Sequence, residues 1–191
     1  MQSYFHSSEY ELFFLSVEIA AALWVHIQSF EVTFRSFIHE VLSNYSTNSF
    51  WFEGSRLLSK RDRTDIQRIR SRYRLQDSSA EEIVEHLSLS FWVELCSARY
   101  YEKIWRKLEL ANPLLKGKRR DFYNKAREIR NLRNSIAHHG PILRRNLIRD
   151  HAYLGELTAI LDPELAREVE KRSRVLDLLL NARLVGSGGG I

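Results

Sequence analysis

The chain has 191 residues, of which 44% are hydrophobic and 12% aromatic, and this composition excludes a disordered protein. Its single cysteine excludes an intrachain disulfide framework and suits a reducing compartment. Within the net charge of +5, residues 56–74 contain eight Arg or Lys against two acidic residues, and residues 99–149 contain fifteen against four. Such basic blocks are typical of a surface that binds a polyanion, although a solvated basic face would give the same pattern.

The N-terminal part of the chain is predicted to be a long helix. No Gly or Pro occurs between Tyr10 and Ser43, and apolar residues recur there at intervals of three and four, which predicts one helix or two with a kink. The N-terminus lacks the basic region of a signal peptide, and the apolar run from Leu12 to Trp24 is broken by Glu18. Because this run is too short to cross a bilayer, we expect a cytoplasmic protein without membrane association.

The rest of the chain also has helical periodicity, with no strand-like alternation. The further helices are predicted over about 57–75, 81–108, 121–139, 142–161 and 163–184. Asp162 is expected to cap the last of these, with Pro163 at its first position. The prediction is therefore an all-α protein of about six helices, with a single domain over residues 1–185 and a disordered, glycine-rich tail over 186–191.

The stretch with the clearest chemical character lies between Arg130 and Pro141. The apolar residues that precede or interleave with it define one stripe of an amphipathic helix: Phe122, Ala126, Ile129, Leu132 and Ile136. Arg127, Asn134 and His138 share the opposite face at about 100° per residue. Gly140 is predicted to end the helix as a C′ glycine, followed by Pro141.

Two interpretations of the polar residues in this stretch remain open. His138 and His139 could cap the last carbonyls and favour the negative end of the helix dipole. Alternatively, Arg133 and His138 could carry out phosphodiester chemistry, because Arg binds phosphate oxygens and His transfers protons near neutral pH. We expect no metal at this stretch, since no Asp or Glu lies between Arg130 and Arg149 and adjacent histidines point about 100° apart on a helix.

The motif resembles the Arg-x4-His signature of the HEPN ribonuclease superfamily, with Asn134 as the polar residue after Arg133 and His138 as the motif histidine. The extended sequence from Leu132 to Ile142 is similar to the Abi-like (abortive infection) branch, although Gly140 replaces a Glu that many relatives carry. The segments 87–92 and 101–105 resemble further signatures of that branch, and the segment from Glu31 to Arg35 resembles its upstream helix, so the similarity covers most of residues 10–180.

The resemblance implies a HEPN-like fold and a metal-independent endoribonuclease that acts in phage defence as an abortive-infection toxin. In this chemistry the RNA 2′-OH attacks the neighbouring phosphorus and leaves a 2′,3′-cyclic phosphate and a 5′-OH. His138 would transfer the proton, Arg133 would stabilise the transition state and Asn134 would orient the reacting groups. His139 would support them, and no cofactor is implied.

The resemblance also implies a homodimer, because acid and base are both needed and two motifs meet across the superfamily's dimer interface. Arg133 and His138 are about 140° apart on an ideal helix, which independently favours a site shared between two chains. RNA is the expected partner, and the candidate RNA-binding residues are Lys118, Arg119, Arg120, Arg127, Arg130, Arg144 and Arg145. The alternative is a non-catalytic scaffold that holds a structured small RNA.

Overall fold

A computed structural model describes residues 7–53 and 57–187. Within these ranges the chain forms nine α-helices, joined by short 3-10 and π segments, and no strand. The predicted all-α class is therefore confirmed, while the number of helices exceeds the predicted six. Likeness to the HEPN fold stays a prediction.

The first helix, α1 (Ser7–Ser46), is a single element of 40 residues. At about 1.5 Å per residue it extends roughly 60 Å, so the predicted long N-terminal helix is confirmed without a break. Its buried stripe repeats at intervals of three and four and consists of Ile19, Leu23, Ile27, Phe30, Phe34, Ile38 and Leu42.

Helix α1 is also long and apolar enough to cross a membrane by length and composition. The segment Glu9–Ser46 contains an 18-residue window with a mean hydropathy of 1.5, of which 22% is buried. A mostly buried core helix of a soluble protein and a signal sequence near the N-terminus pass the same test, so this helix is weak evidence either way. The expectation that this part of the chain is too short to cross a bilayer is not supported by the length of α1, and the cytoplasmic location stays a prediction.

The predicted helix over 81–108 is wrong, because this stretch divides into several short elements. They are α3 (Ala80–Glu85), α4 (Leu89–Glu94), a 3-10 turn (Ala98–Tyr100), a π segment (Tyr101–Trp105) and α5 (Arg106–Ala111). Serines cause two of the starts: Ser79 Oγ accepts from the Glu82 amide and Ser88 Oγ accepts from the Phe91 amide. Upstream, α2 (Lys60–Tyr73) begins with a capping box between Ser59 and Asp62.

The C-terminal part contains α6 (Arg119–Ala137), α7 (Leu147–Leu161), α8 (Pro163–Lys171) and α9 (Val175–Ser187). The predicted start of α8 is confirmed, because Asp162 Oδ1 accepts from the amides of Glu164 and Leu165. The single helix predicted over 163–184 is wrong, because the chain leaves the helix at residues 172–174, between α8 and α9. Helix α7 begins later than predicted, since Ile142–Arg144 forms a 3-10 turn and Asn146 caps the helix. Residues 186 and 187 of the predicted disordered tail continue α9, and 188–191 lie outside the described residues.

The chain divides into two compact units, one combining the chain up to Phe30 with the chain from Asn131 onward, the other containing Glu31–Arg130. Aromatic side chains fill the second unit: the Phe122 ring lies 5.4 Å from Trp105 and 5.5 Å from Phe34. Burial raises the pKa of the Cys96 thiol there, which keeps it protonated and inert. The single domain predicted over 1–185 stays a prediction.

Candidate functional site

Helix α6 ends in a Schellman motif whose left-handed residue is His139, not Gly140. The Gly140 amide donates to the Ser135 carbonyl at 2.7 Å, and the His139 amide donates to the Ile136 carbonyl at 3.1 Å. His139 has a φ of 55°, so it occupies the C′ position that we predicted for the glycine. The prediction was one residue too late, because the backbone turns immediately after His138.

Gly140 occupies the next position, where the chain passes close to the preceding turn. A Cβ on Gly140 would lie 3.3 Å from the Ser135 carbonyl oxygen, tighter than most Cβ contacts. Glycine therefore suits this position through the close approach of two backbone segments, not through a positive φ. A Glu at this position would require the neighbouring backbone to shift by a few tenths of an ångström.

The motif side chains differ in exposure. His138 and His139 are exposed, whereas Arg133 and Asn134 are half-buried. The Arg133 guanidinium carbon lies 5.9 Å from the centroid of the Trp24 ring on α1, in cation–π range. Arg133 thus lies beside the apolar side chains of α1, and an aromatic face contributes to its position.

An apolar groove of about 430 Å³ adjoins the end of the motif. It lies between the N-terminal half of α1 and the chain after α6, and it is lined by Phe13, Ser16, Val17, Ala20, Ala21, Trp24, Ile136, His139, Gly140 and Ile142. We name it the motif groove. Phe13 and Val17 are about half exposed there.

Sequence reasoning missed the motif groove, although the signal was present. Phe13, Val17, Ala20, Ala21 and Trp24 form a second set of helically spaced apolar positions on α1, beside the buried stripe. Two such sets on one helix indicate that two faces of α1 make apolar contacts. In the described part of the chain the first set is buried, whereas Phe13 and Val17 of the second set are about half exposed.

Of the predicted RNA-binding residues, four are exposed: Lys118, Arg120, Arg127 and Arg144. The other three are half-buried. Arg119 donates to the Cys96 carbonyl at 3.1 Å, and Arg145 Nε donates to Asp150 Oδ2 at 2.7 Å. Asp150 is fully buried, so Arg145 has a structural role whatever else it binds.

Arg130 lines a cleft of about 530 Å³ in the 31–130 unit. The cleft contains charges of both signs, among them Asp62, Asp65, Glu94 and Arg99. Arg99 lies 3.6 Å from Asp62 and 3.4 Å from Glu94, so some of this positive charge is already balanced. The cleft is therefore a weaker candidate for binding a polyanion than the exposed cations on α6 and after it.

Comparisons with protein-family models, curated proteins and solved structures find no match to this chain. The resemblance to the Abi-like HEPN branch therefore rests on the motifs in the sequence.

Proposed function

We propose that the protein is a metal-independent endoribonuclease of the HEPN type that acts in phage defence as an abortive-infection toxin. The observation that carries the proposal is the arrangement at the end of α6, where exposed His138 follows Arg133 and Asn134 by about one turn. An exposed imidazole can reach a substrate proton, and the Arg133 guanidinium of the same or the second chain can stabilise the negative charge that develops on the phosphorus.

The proposed mechanism cleaves RNA by an internal transfer. The 2′-oxygen forms a bond to phosphorus as its proton passes to a base, and the bond to the 5′-oxygen breaks as that oxygen receives a proton from an acid. The products are a 2′,3′-cyclic phosphate and a 5′-OH. His138 takes one of these two roles and the same residue of a second chain takes the other. His139 contributes its backbone to the helix end and its exposed ring to RNA binding.

A homodimer is part of this proposal, and the motif groove supports it. The groove contains half-exposed Phe13 and Val17 and borders His139, so its burial by a second copy would bring the two motifs close together. Val17→Glu is expected to place a charge in this interface and give a monomer in sedimentation equilibrium. Val32→Glu is the control, because Val32 is comparably exposed on the same helix outside the groove. Two variants with the same dimer affinity would contradict this interface.

The test of catalysis compares wild type with His138→Ala on end-labelled RNA in EDTA. The variant is expected to cleave roughly 10²–10⁴-fold more slowly while its thermal melt barely changes. His86→Ala is the matched control, since His86 is exposed on the other unit. RNA with 2′-deoxy nucleotides at the cleaved positions is expected to resist cleavage, because it lacks the attacking 2′-OH. A folded His138→Ala that cleaves like wild type would overturn the assignment.

Mixing the two chains tests the shared site. If each site needs His138 from both chains, activity is expected to fall with the square of the wild-type fraction as His138→Ala chains are added. Independent sites would give a linear decrease.

The alternative, a non-catalytic scaffold for a structured RNA, is favoured by the four exposed cations on and near α6. In that case wild type binds RNA without cleaving it, and expression alone does not inhibit growth. A toxin inhibits growth, and this effect depends on His138.

A further inference from the structure

Two buried histidines and a glutamate lie together in the unit formed by the chain up to Phe30 and from Asn131 onward. His26 on α1 is 4% exposed and His151 on α7 is 6% exposed. Both Nε2 atoms face the hydroxyl of Ser173, between α8 and α9, at 2.9 Å and 3.4 Å. Glu170 on α8 places Oε2 3.4 Å from His151 Nε2. Three helices and a loop therefore direct polar atoms to one point.

The geometry of this cluster suits a small cation. The ligand atoms of His26, His151 and Glu170 all lie within 4.8 Å of one another. Ligand bonds of about 2.1 Å place the corners of a tetrahedron about 3.4 Å apart. A contraction of at most about 1.4 Å would therefore convert the cluster into three corners of a tetrahedral site.

The cluster is accessible from two sides. A cavity of about 400 Å³ reaches His26 and Ser173, and another of about 760 Å³ reaches His151 and Glu170. Arg172, which borders the first cavity, lies 2.5 Å from Glu168 and is thus paired away from Glu170. An ion has a path to the cluster, and a water molecule has space to serve as a fourth ligand.

We propose that His26, His151 and Glu170 form a binding site for a divalent transition-metal ion, with zinc as the best fit to two imidazoles and one carboxylate. The ion would link α1, α7 and α8, while a water molecule or the Ser173 hydroxyl completes its coordination. The site uses none of the proposed catalytic residues and does not rest on the ribonuclease proposal.

A hydrogen-bonded network is the competing explanation of the same cluster. The Ser173 hydroxyl can donate to His26 Nε2 while it accepts from the Val175 amide at 3.3 Å. His151 Nε2–H can then donate to Glu170. This network needs no ion, so the two explanations differ in whether the folded chain binds zinc at these residues.

The test is zinc binding by the full chain after EDTA treatment and removal of the chelator, measured by equilibrium dialysis at pH 7.5. Wild type is expected to bind one zinc per chain at this cluster and to melt at a higher temperature with zinc than without it. Glu170→Gln preserves side-chain size at an exposed position, so this variant is expected to fold. Because it removes a charged ligand, it is expected to bind zinc at least about 10–100-fold more weakly than wild type. His151→Gln is expected to lose the site.

Controls separate this site from exposed histidines. His86→Gln and His138→Gln are expected to retain the tight zinc and its effect on the melt. Cobalt(II) bound at the cluster is expected to give the strong visible absorption of a tetrahedral complex, which is lost in Glu170→Gln. Absence of tight zinc in wild type, or zinc binding by Glu170→Gln equal to wild type, would overturn the proposal. If His151→Gln fails to fold, Glu170→Gln alone decides the result.

Discussion

The guanidinium of Arg133 lies over the indole of Trp24, with 5.9 Å between the guanidinium carbon and the ring centroid. Trp24 is 37% exposed, so most of its side chain is packed, and the thermal melt of each Trp24 variant is needed to separate loss of packing from loss of this contact. Such a partly exposed cation–π contact contributes about 0.5–1 kcal/mol. Its main consequence is to position Arg133, on which the proposed transition-state stabilisation depends.

We therefore expect Trp24→Leu to slow single-turnover RNA cleavage by roughly 10–100-fold, because small displacements of a positioned group are costly. Trp24→Phe keeps an aromatic face, so its cleavage rate is expected to fall much less. Tyr45→Leu is the matched control: it removes a different cation–π contact, where Lys107 Nζ lies 4.1 Å from the Tyr45 ring centroid. Wild-type cleavage by Trp24→Leu would remove Trp24 as a positioning residue.

His139→Gly separates the backbone role of His139 from the role of its ring. Because His139 has a φ of 55°, glycine there is expected to stabilise the protein by up to about 1 kcal/mol in a urea titration. Any decrease in RNA binding or cleavage by this variant then reports on loss of the imidazole, and sedimentation equilibrium separates an RNA contact from a contact in the motif groove. His139→Val, which disfavours the left-handed region, is expected to destabilise the same helix end. Equal stability of the two variants would contradict the assigned cap.

Arg145→Ala is expected to destabilise the protein, whereas Arg144→Ala is not. Arg145 neutralises the fully buried Asp150, and the partly exposed Arg149, 3.1 Å from Asp150, remains as a second partner. We expect a loss of roughly 2–3 kcal/mol, somewhat below the cost of leaving a buried charge wholly uncompensated. Arg144 is exposed, so its replacement should change the free energy of unfolding by no more than about 0.5 kcal/mol.

A double variant tests the cause of that loss. Asp150→Asn in the Arg145→Ala background removes the buried charge, and it is expected to recover part of the stability measured by urea unfolding. Further destabilisation would show that Arg145 acts through packing instead of charge.

Acid is expected to destabilise the protein through His26 between pH 6.5 and about 4. The unfolded chain binds a proton at His26 near its ordinary pKa of 6.5, while the folded chain binds it only near 4. The unfolded state thus holds more protons in this window, so stability falls as the pH falls, by roughly 3 kcal/mol in total. The lowered pKa of His151 acts in the same direction.

The measurement is the urea unfolding free energy of wild type and His26→Gln at several pH values, with EDTA present to exclude metal effects. The Gln variant does not titrate, so its curve is expected to fall less steeply from pH 6.5 to 4. Parallel curves would contradict the assigned pKa.

RNA binding is expected to depend on salt through the exposed cations. For a single-stranded RNA, Arg120→Ala and Arg144→Ala should each reduce the slope of log K against log salt by about 0.7 if the residue neutralises one phosphate. Lys171→Ala is the control, because Lys171 is exposed, pairs with Glu168 and lies outside both basic blocks. A wild-type slope near zero would exclude RNA as the main partner.

The sequence by itself determined the class of the protein and the places where several helices begin. The 3.6-residue periodicity of α1 and α6 and the Asp162-Pro163 start of α8 are local features, so spacing and capping chemistry were sufficient to predict them. The stretch 81–108 was wrongly predicted as one helix, because serine caps compete with an unbroken apolar pattern.

Only the tertiary structure decided which residues meet across the chain. His26 and His151 are 125 positions apart, and nothing local to either residue indicates that their rings lie 4.6 Å apart. The role of Arg145 likewise depends on the burial of Asp150, which charge counts along the sequence do not report. Burial and long-range contact depend on how helices pack together, whereas helical periodicity identifies only the face that each helix buries.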